Sequence, residues 1–412
     1  MPRSASSRTH HFAQLAAPRG ALLLCVSVLL VCLLSACGGG SGDDAQSNSV
    51  APLSSSAALG EKIFQDTTLS ASGQQSCSTC HNPANAHAPS NSLAVQLGGA
   101  LMNLQGTRQT PSIRYLNFNT SFHFDDEGTP TGGFFWDGRA ESLAQQAGAP
   151  FVNPFEMANA DQAAVVAKLS QAPYAAEFKQ LYGDAIFADV DATVQRMGLA
   201  VQQYQREDRE FHSFTSKYDT FLLGKARLSD QEMRGLALFN SPTKGNCAGC
   251  HPSARAADGA MPLFTDFTYD NLGVPRNPEI GANADPAYFD LGLCARPDGS
   301  MAAHPELCGA FKVPSLRNVA LRKVFFHNGR FKTLKDTLTF YVQRDTHPEK
   351  WYPLNPDSSV NKFDDLPTQY HGNVNTTEVP YNRQPGDALA LSDSEIDDVI
   401  AFLQTLSDGY VP

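Results

Sequence analysis

The chain is short of positive charge. Its 412 residues carry 31 Lys and Arg against 42 Asp and Glu, for a formal net charge of −11. Such a surface is a poor partner for the phosphates of nucleic acid. Tryptophan is scarce too, with only Trp136 and Trp351. Convincing strand patterns are few. An apolar stretch long enough to cross a bilayer is also missing. The run from Gly20 to Leu34 falls short of the roughly 20 residues that a spanning helix needs.

That run has another reading. Arg3, Arg8 and Arg19 precede it, and Leu34-Ser35-Ala36-Cys37 followed by Gly38-Gly39-Gly40 closes it. Small residues before a cysteine resemble the lipobox of bacterial lipoproteins, in which Cys37 is acylated and becomes the new N-terminus. An ordinary cleaved secretory signal is the alternative. Either way the chain is exported, and the lipobox adds a membrane anchor on the periplasmic side. We expect a signal peptide over 1–36 and a flexible Gly/Ser/Asp/Asn-rich tether over 37–56.

Cys77-Ser78-Thr79-Cys80-His81 is the motif around which the rest is organised, and Cys247-Ala248-Gly249-Cys250-His251 repeats it. Cys-x-x-Cys-His is the attachment signal for c-type haem: two thiols join the porphyrin and the histidine binds iron from below. A zinc ribbon is the competing reading. It needs its Cys-x-x-Cys units at short range and no trailing histidines. Two haem c groups are therefore expected, on Cys77, Cys80 and His81 and on Cys247, Cys250 and His251. Export and haem attachment agree, because this attachment occurs outside the bacterial cytoplasm. Cys294 and Cys308 remain, and in an oxidising compartment they are expected to pair.

The motifs sit in a repeated frame. Leu59, Ile63 and Phe64 form an apolar helical face ahead of the first motif. Ser229 and Glu232 form a capping box ahead of the second, followed by Leu236, Leu238 and Phe239. Each unit should close with a helix packed on its opening helix. Asp191 to Glu210 is the candidate in the first unit. In the second it is the stripe Ile396, Val399, Ile400, Leu403 and Leu406, capped by Ser392 and Glu395. Helices are also expected over Asn159–Gln171 and Tyr174–Leu181, with a linker over Phe214–Arg227. The fold class is mainly α: two cytochrome c-type haem domains with long loops, at 57–227 and 228–412.

Three further segments carry a resemblance. They are Phe134-Phe135-Trp136-Asp137-Gly138-Arg139, Asn153-Pro154-Phe155-Glu156-Met157, and Phe311-Lys312-Val313-Pro314-Ser315-Leu316-Arg317-Asn318 with Phe325-Phe326-His327-Asn328-Gly329-Arg330. With the two haem motifs in this order, they resemble the bacterial di-haem cytochrome c peroxidases, on the MauG-like branch, over about residues 57–407. The resemblance implies that hydrogen peroxide reacts at the His81 haem and that the His251 haem relays electrons. It implies that Trp136 lies between the haems, though a plain core aromatic is the alternative. It places Gln146 and Glu156 in the distal pocket as catalytic groups, and Pro150 beside them. A carboxylate there can move a proton between the two peroxide oxygens.

The family also frames what differs. Peroxidases that need prior reduction carry a distal histidine after the first motif. Here the only histidine over Asn82–Arg108 is His87, too close to His81 to reach the opposite face, so an open iron is expected. Tyr341 stands where such peroxidases have an axial methionine and MauG-like members a tyrosine. It is thus read as a metal ligand with His81 and His251, or else as a core residue in the stripe Leu334, Leu338, Tyr341. A calcium ion between the domains is implied as well. Against it, Gln109 replaces the expected asparagine, and Arg322-Lys323 adds two cations. Electrons come from a redox protein, or from residues of a protein substrate. The alternatives are a MauG-like oxidase of a partner's side chain and a di-haem electron carrier without peroxide chemistry. Trp351 is either an electron exit or a packed loop anchor.

Overall fold

Ser54 starts the first helix by accepting the Ala57 N–H on its hydroxyl at 3.2 Å. The computed structural model describes residues 51–412. The expected signal peptide, with Cys25 and Cys32, and the expected tether from Cys37 as far as residue 50 lie outside the described residues. The last two positions assigned to the tether, Ser55 and Ser56, are helical, because α1 spans Ser55–Gln65.

The helices follow in order: α1, then α2 (Cys77–Cys80), α3 (Leu143–Gly148), α4 (Gln162–Leu169), α5 (Ala175–Tyr182), α6 (Val190–Glu207), α7 (Lys217–Leu222), α8 (Asp230–Asn240), α9 (Leu334–Gln343) and α10 (Asp393–Gln404). Strands are confined to three two-stranded antiparallel ribbons: β1 (Leu97–Gly98) with β2 (Leu104–Gln105), β3 (His123–Phe124) with β4 (Pro130–Thr131), and β5 (Tyr269–Asp270) with β6 (Phe311–Lys312). Among the described residues the architecture is mainly helical with long connections.

Two helix crossings organise it. In the first, α1 lies on α6, burying Leu59, Ile63 and Phe64 against Met197, Ala200, Val201 and Tyr204. The backbones meet at Gly60, where a Cβ would stand 2.0 Å from the Ala200 carbonyl oxygen. The second crossing repeats the first. Capping boxes start α8 at Ser229/Glu232 and α10 at Ser392/Glu395. At Gly235 a Cβ would stand 2.0 Å from the Asp398 carbonyl oxygen. Only glycine allows either approach. The second core gathers Phe239, Phe264, Phe340, Phe402, Leu403 and Leu406.

Two segments differ from expectation. The helix expected over Asn159–Gln171 is shorter. Asp161 caps it, and buried Asn159 spends its amide on the carbonyls of Leu69 and Phe151, both at 2.8 Å. The expected linker Phe214–Arg227 contains α7, opened by a capping box between Ser216 and Asp219. Its Tyr218 belongs to the second core, ahead of the 227/228 boundary. Asp219 meets Arg317 in a bidentate pair at 2.7 and 2.9 Å, with both side chains buried. Cys294 and Cys308 form a disulfide.

Candidate active site

Both motifs hold their histidines in the same way. In the first, Ser76 and Thr79 form a capping box around the turn of α2, and the His81 N–H donates to Cys77 O at 2.8 Å. The His81 ring sets Nδ1 on the carbonyl of His87 at 3.3 Å. In the second, the His251 N–H donates to Cys247 O at 2.9 Å, and Nδ1 faces the carbonyl of Phe264 at 2.7 Å. A carbonyl can only accept, so each Nδ1 carries the proton and each Nε2 keeps its lone pair. Burial lowers the pKa of both rings, that of His81 to about 4. Neutral imidazoles with free Nε2 atoms are what iron requires. The four motif thiols are unbridged. Burial pushes Cys77, Cys247 and Cys250 up to about 12. The residues at both motifs fit a c-type haem.

His87 lies on the His81 side. Beyond supplying the carbonyl, its buried ring stacks on Phe211 at 4.1 Å and meets the edge of Phe64 at 6.1 Å.

A large cavity is bordered by Cys247, Cys250, His251, Tyr341, Trp136 and Gln146. These residues come from distant parts of the chain and line one cavity. Tyr341, on α9, stacks on Phe326 at 5.5 Å and lies 5.8 Å from Tyr381. Burial lifts the Tyr341 phenol above its ordinary range and Asp270 adds to the rise, while a hydrogen bond from Tyr381 opposes it. Tyr381 and Asp270 were not singled out from the sequence. Both are brought in by long-range packing: the Arg344 guanidinium sits 4.4 Å over the Tyr381 ring, and Asn375 donates to Asp270 at 3.1 Å.

Trp136 joins the two halves of the fold. Its indole N–H donates to Gln109 O at 2.7 Å, and its carbonyl accepts the Lys312 N–H at 2.9 Å. The next residue, Asp137, is paired with Arg108 at 2.6 Å and Arg139 at 2.9 Å, and Arg108 also grips Asp290 at 2.6 Å. The arginines hold both carboxyls below their ordinary range against the upward pull of burial. His327 has a place in this junction. Its ring stacks on Phe311 at 3.5 Å, and its carbonyl accepts the Gln109 N–H at 2.6 Å.

Glu156 does not line the cavity that Gln146 borders. It sits in a tight loop on which Pro150 O accepts the Met157 N–H at 3.1 Å and Asn153 O accepts the Glu156 N–H at 3.0 Å. The β1–β2 hairpin braces it from outside: Gly99 N–H donates to Glu156 O at 2.8 Å, and a Cβ on Gly98 would stand 2.3 Å from Phe155 O. Burial raises the Glu156 carboxyl, with Arg139 and a hydrogen bond to Asn153 opposing. Burial is the main cause of the raised Cys77 and Cys80 thiols, and the Glu156 charge adds to it. Arg139 stacks 3.8 Å over Phe135, next to Trp136 in the chain.

The two backbone segments named for calcium meet at a guanidinium. Arg322 Nη2 donates to Thr110 O at 3.1 Å, and Nε approaches Val324 O at 3.5 Å. Trp351 packs edge-on against Phe340 at 5.6 Å and Phe331 at 5.7 Å. Tyr352 is buried and donates to Gly273 O at 2.5 Å.

Comparison with known proteins agrees with this geometry. The family profile described as di-haem cytochrome c peroxidase matches residues 54–227. Methylamine utilization protein MauG of Paracoccus denitrificans is 36% identical over 364 residues, 85% of this chain and 88% of that protein. Cytochrome c551 peroxidase of Nitrosomonas europaea is 28% identical over 286 residues, 68% of this chain and 71% of that one. The crystal structure of the diheme peroxidase BthA from Burkholderia thailandensis superposes with a TM-score of 0.81 at 39% identity, covering 87% of each chain.

Proposed function

The chain belongs to the di-haem cytochrome c peroxidase family, and from that premise we propose a division of labour among its residues. It is a haem peroxidase, an oxidoreductase acting on hydrogen peroxide with two haem c groups. Haem iron supplies the two-electron reduction of peroxide to water. Cys77, Cys80 and His81 would hold the haem that meets peroxide. Cys247, Cys250, His251 and Tyr341 would hold the relay haem. Glu156 takes a proton from one peroxide oxygen and returns it to the other, and Gln146 orients the oxygens by hydrogen bonds. Trp136 carries charge between the centres. The cytochrome c-type domains are 57–227 and 228–412. Export and a lipid anchor at Cys37 place the enzyme at the periplasmic face of a membrane.

The single observation that carries this is the matched pair of histidines, each with Nδ1 on a backbone carbonyl and Nε2 free, beside unbridged buried thiols. A spectroscopic titration of the resting oxidised protein with peroxide tests it. Reaction without prior reduction supports the open first iron. Inertness in both redox states leaves an electron carrier and overturns the reading.

A second reading keeps the same chemistry and changes the electron source to a side chain of a partner protein. Tyr341 favours it, because an anionic phenolate stabilises higher iron oxidation states than a thioether does. Tyr341→Phe should change the optical signature of the second haem. An unchanged spectrum removes Tyr341 as a ligand.

A further inference from the structure

Two buried N–H donors without a protein acceptor, Arg330 Nε and Trp351 Nε1, border the same small cavity. No residue of either haem motif lines it. Its volume of about 430 Å³ is in the range of small-molecule sites. Packing fixes the indole: Phe331 and Phe340 hold the Trp351 ring edge-on, so its N–H cannot turn to another acceptor. The Arg330 backbone N–H donates to Asn328 Oδ1 at 3.1 Å. Its guanidinium makes no hydrogen bond and no ion pair among the described residues. A buried donor left without an acceptor keeps its full desolvation cost, which is why such groups are rare.

The charge around the cavity favours an anion. Lys350 borders it too, and its ammonium donates to the neutral Gln343 Oε1 at 2.8 Å. Arg276 is already committed: it pairs with Asp365 at 3.2 Å and donates to the Asp285 and Tyr288 carbonyls, both at 2.8 Å. Asp364 is the one carboxylate on the wall, and one of its oxygens accepts the Arg276 backbone N–H at 3.0 Å. Arg330 and Lys350 outnumber it, on a chain whose formal net charge is −11. Pro278, Tyr352 and Pro353 add apolar surface.

We infer that this cavity binds a small organic carboxylate. Arginine presents Nε and an Nη as a fork that matches the two oxygens of a carboxylate. The indole N–H supplies a further donor and can accept nothing. The prolines and aromatic rings take the carbon skeleton, which a bare inorganic oxyanion lacks. The site stands whichever way the two haems divide their work.

Calorimetric titration of the haem-loaded protein with sodium benzoate tests this, with inorganic phosphate as the second probe. Benzoate should bind at one site per chain, more tightly than phosphate, and leave the visible haem spectrum unchanged. Arg330→Gln should weaken benzoate binding at least about tenfold. Arg330→Lys keeps the charge without the fork and should recover only part of the loss. Trp351→Phe keeps a ring, removes the donor and should weaken binding severalfold. No benzoate binding by the parent, or equal affinity in the parent and Arg330→Gln, overturns the site. A haem spectrum that changes with benzoate places the ligand on an iron and overturns it as well. Phosphate held more tightly than benzoate overturns the organic class. Should Arg330→Gln fail to fold, crystals of the parent grown with para-bromobenzoate decide. Bromine in this cavity, with a carboxylate oxygen within about 2.7–2.9 Å of Arg330 Nε, supports the assignment. Bromine elsewhere, or none, overturns it.

Discussion

Trp136 donates its indole N–H to the backbone carbonyl of Gln109 at 2.7 Å. Gln109 in turn donates its own N–H to the carbonyl of His327 at 2.6 Å. The indole is thus the end of a short hydrogen-bonded line that starts in the second half of the chain. Its ring position is set by backbone rather than by a mobile side chain, which suits a group through which charge passes between fixed centres.

Trp136→Phe keeps an aromatic ring and removes the donor. The Gln109 carbonyl then loses its partner, at a cost on the order of 1 kcal/mol. The expected outcome is a small drop in stability with a much larger drop in the rate at which peroxide oxidises the second haem. Rapid-mixing spectra that resolve the two haems measure this. A second haem oxidised as fast as in the parent would leave Trp136 as packing alone.

The two glycine crossings set a structural prediction. Alanine at Gly60 or Gly235 places a methyl group 2.0 Å from a helix backbone oxygen. Neither partner is a side chain that can swing aside. Each change should cost about 1–3 kcal/mol or more, as overpacking does. Thermal melts monitored by circular dichroism should show a lower midpoint for both variants. A parental midpoint for either one would mean that its helices separate freely.

These crossings also show what was legible beforehand. The haem motifs and the capping boxes at Ser229/Glu232 and Ser392/Glu395 are local patterns, so sequence alone placed them. The box at Ser216/Asp219 went unread, and α7 with it. Its acid is short, and its reason for being there is Arg317, far along the chain. Tyr381 likewise gains its place only through Tyr341 and Arg344. In the sequence Arg322 is an obstacle to a cation site. In the structure its guanidinium stands at the carbonyls concerned.

The Asp219–Arg317 pair predicts a pH dependence. Arg317 and Ser216 hold the Asp219 carboxyl below its ordinary value against the pull of burial. A depressed folded pKa contributes stability that is fully present above the unfolded value of about 3.9 and is lost as pH falls through the folded one. At neutral pH, Asp219→Asn leaves Arg317 buried without its counter-charge and should cost about 3–5 kcal/mol. Urea unfolding at pH 7 should show that gap, and the gap should narrow as the pH falls below about 4. A gap that is constant with pH would assign the loss to shape rather than charge.

Glu156→Gln separates a catalytic carboxylate from a structural one. Burial raises the Glu156 carboxyl above its ordinary value, so the folded state disfavours the charged form. A raised acid detracts from stability once the pH exceeds its unfolded value, and removing the charge should leave the fold as stable as before or more so. No cation is stranded by the change, because Arg139 keeps Asp137 at 2.9 Å. The reaction should suffer regardless of the fold. Glutamine matches the shape but cannot take up a proton, and a positioned acid–base group contributes about 10²–10⁴ in rate. Peroxide consumption should therefore fall by at least about a hundredfold while the melting midpoint holds or rises and both haems keep their resting spectra. Parental turnover in Glu156→Gln would remove the carboxylate from the chemistry and leave Gln146 and the iron to cleave peroxide without it.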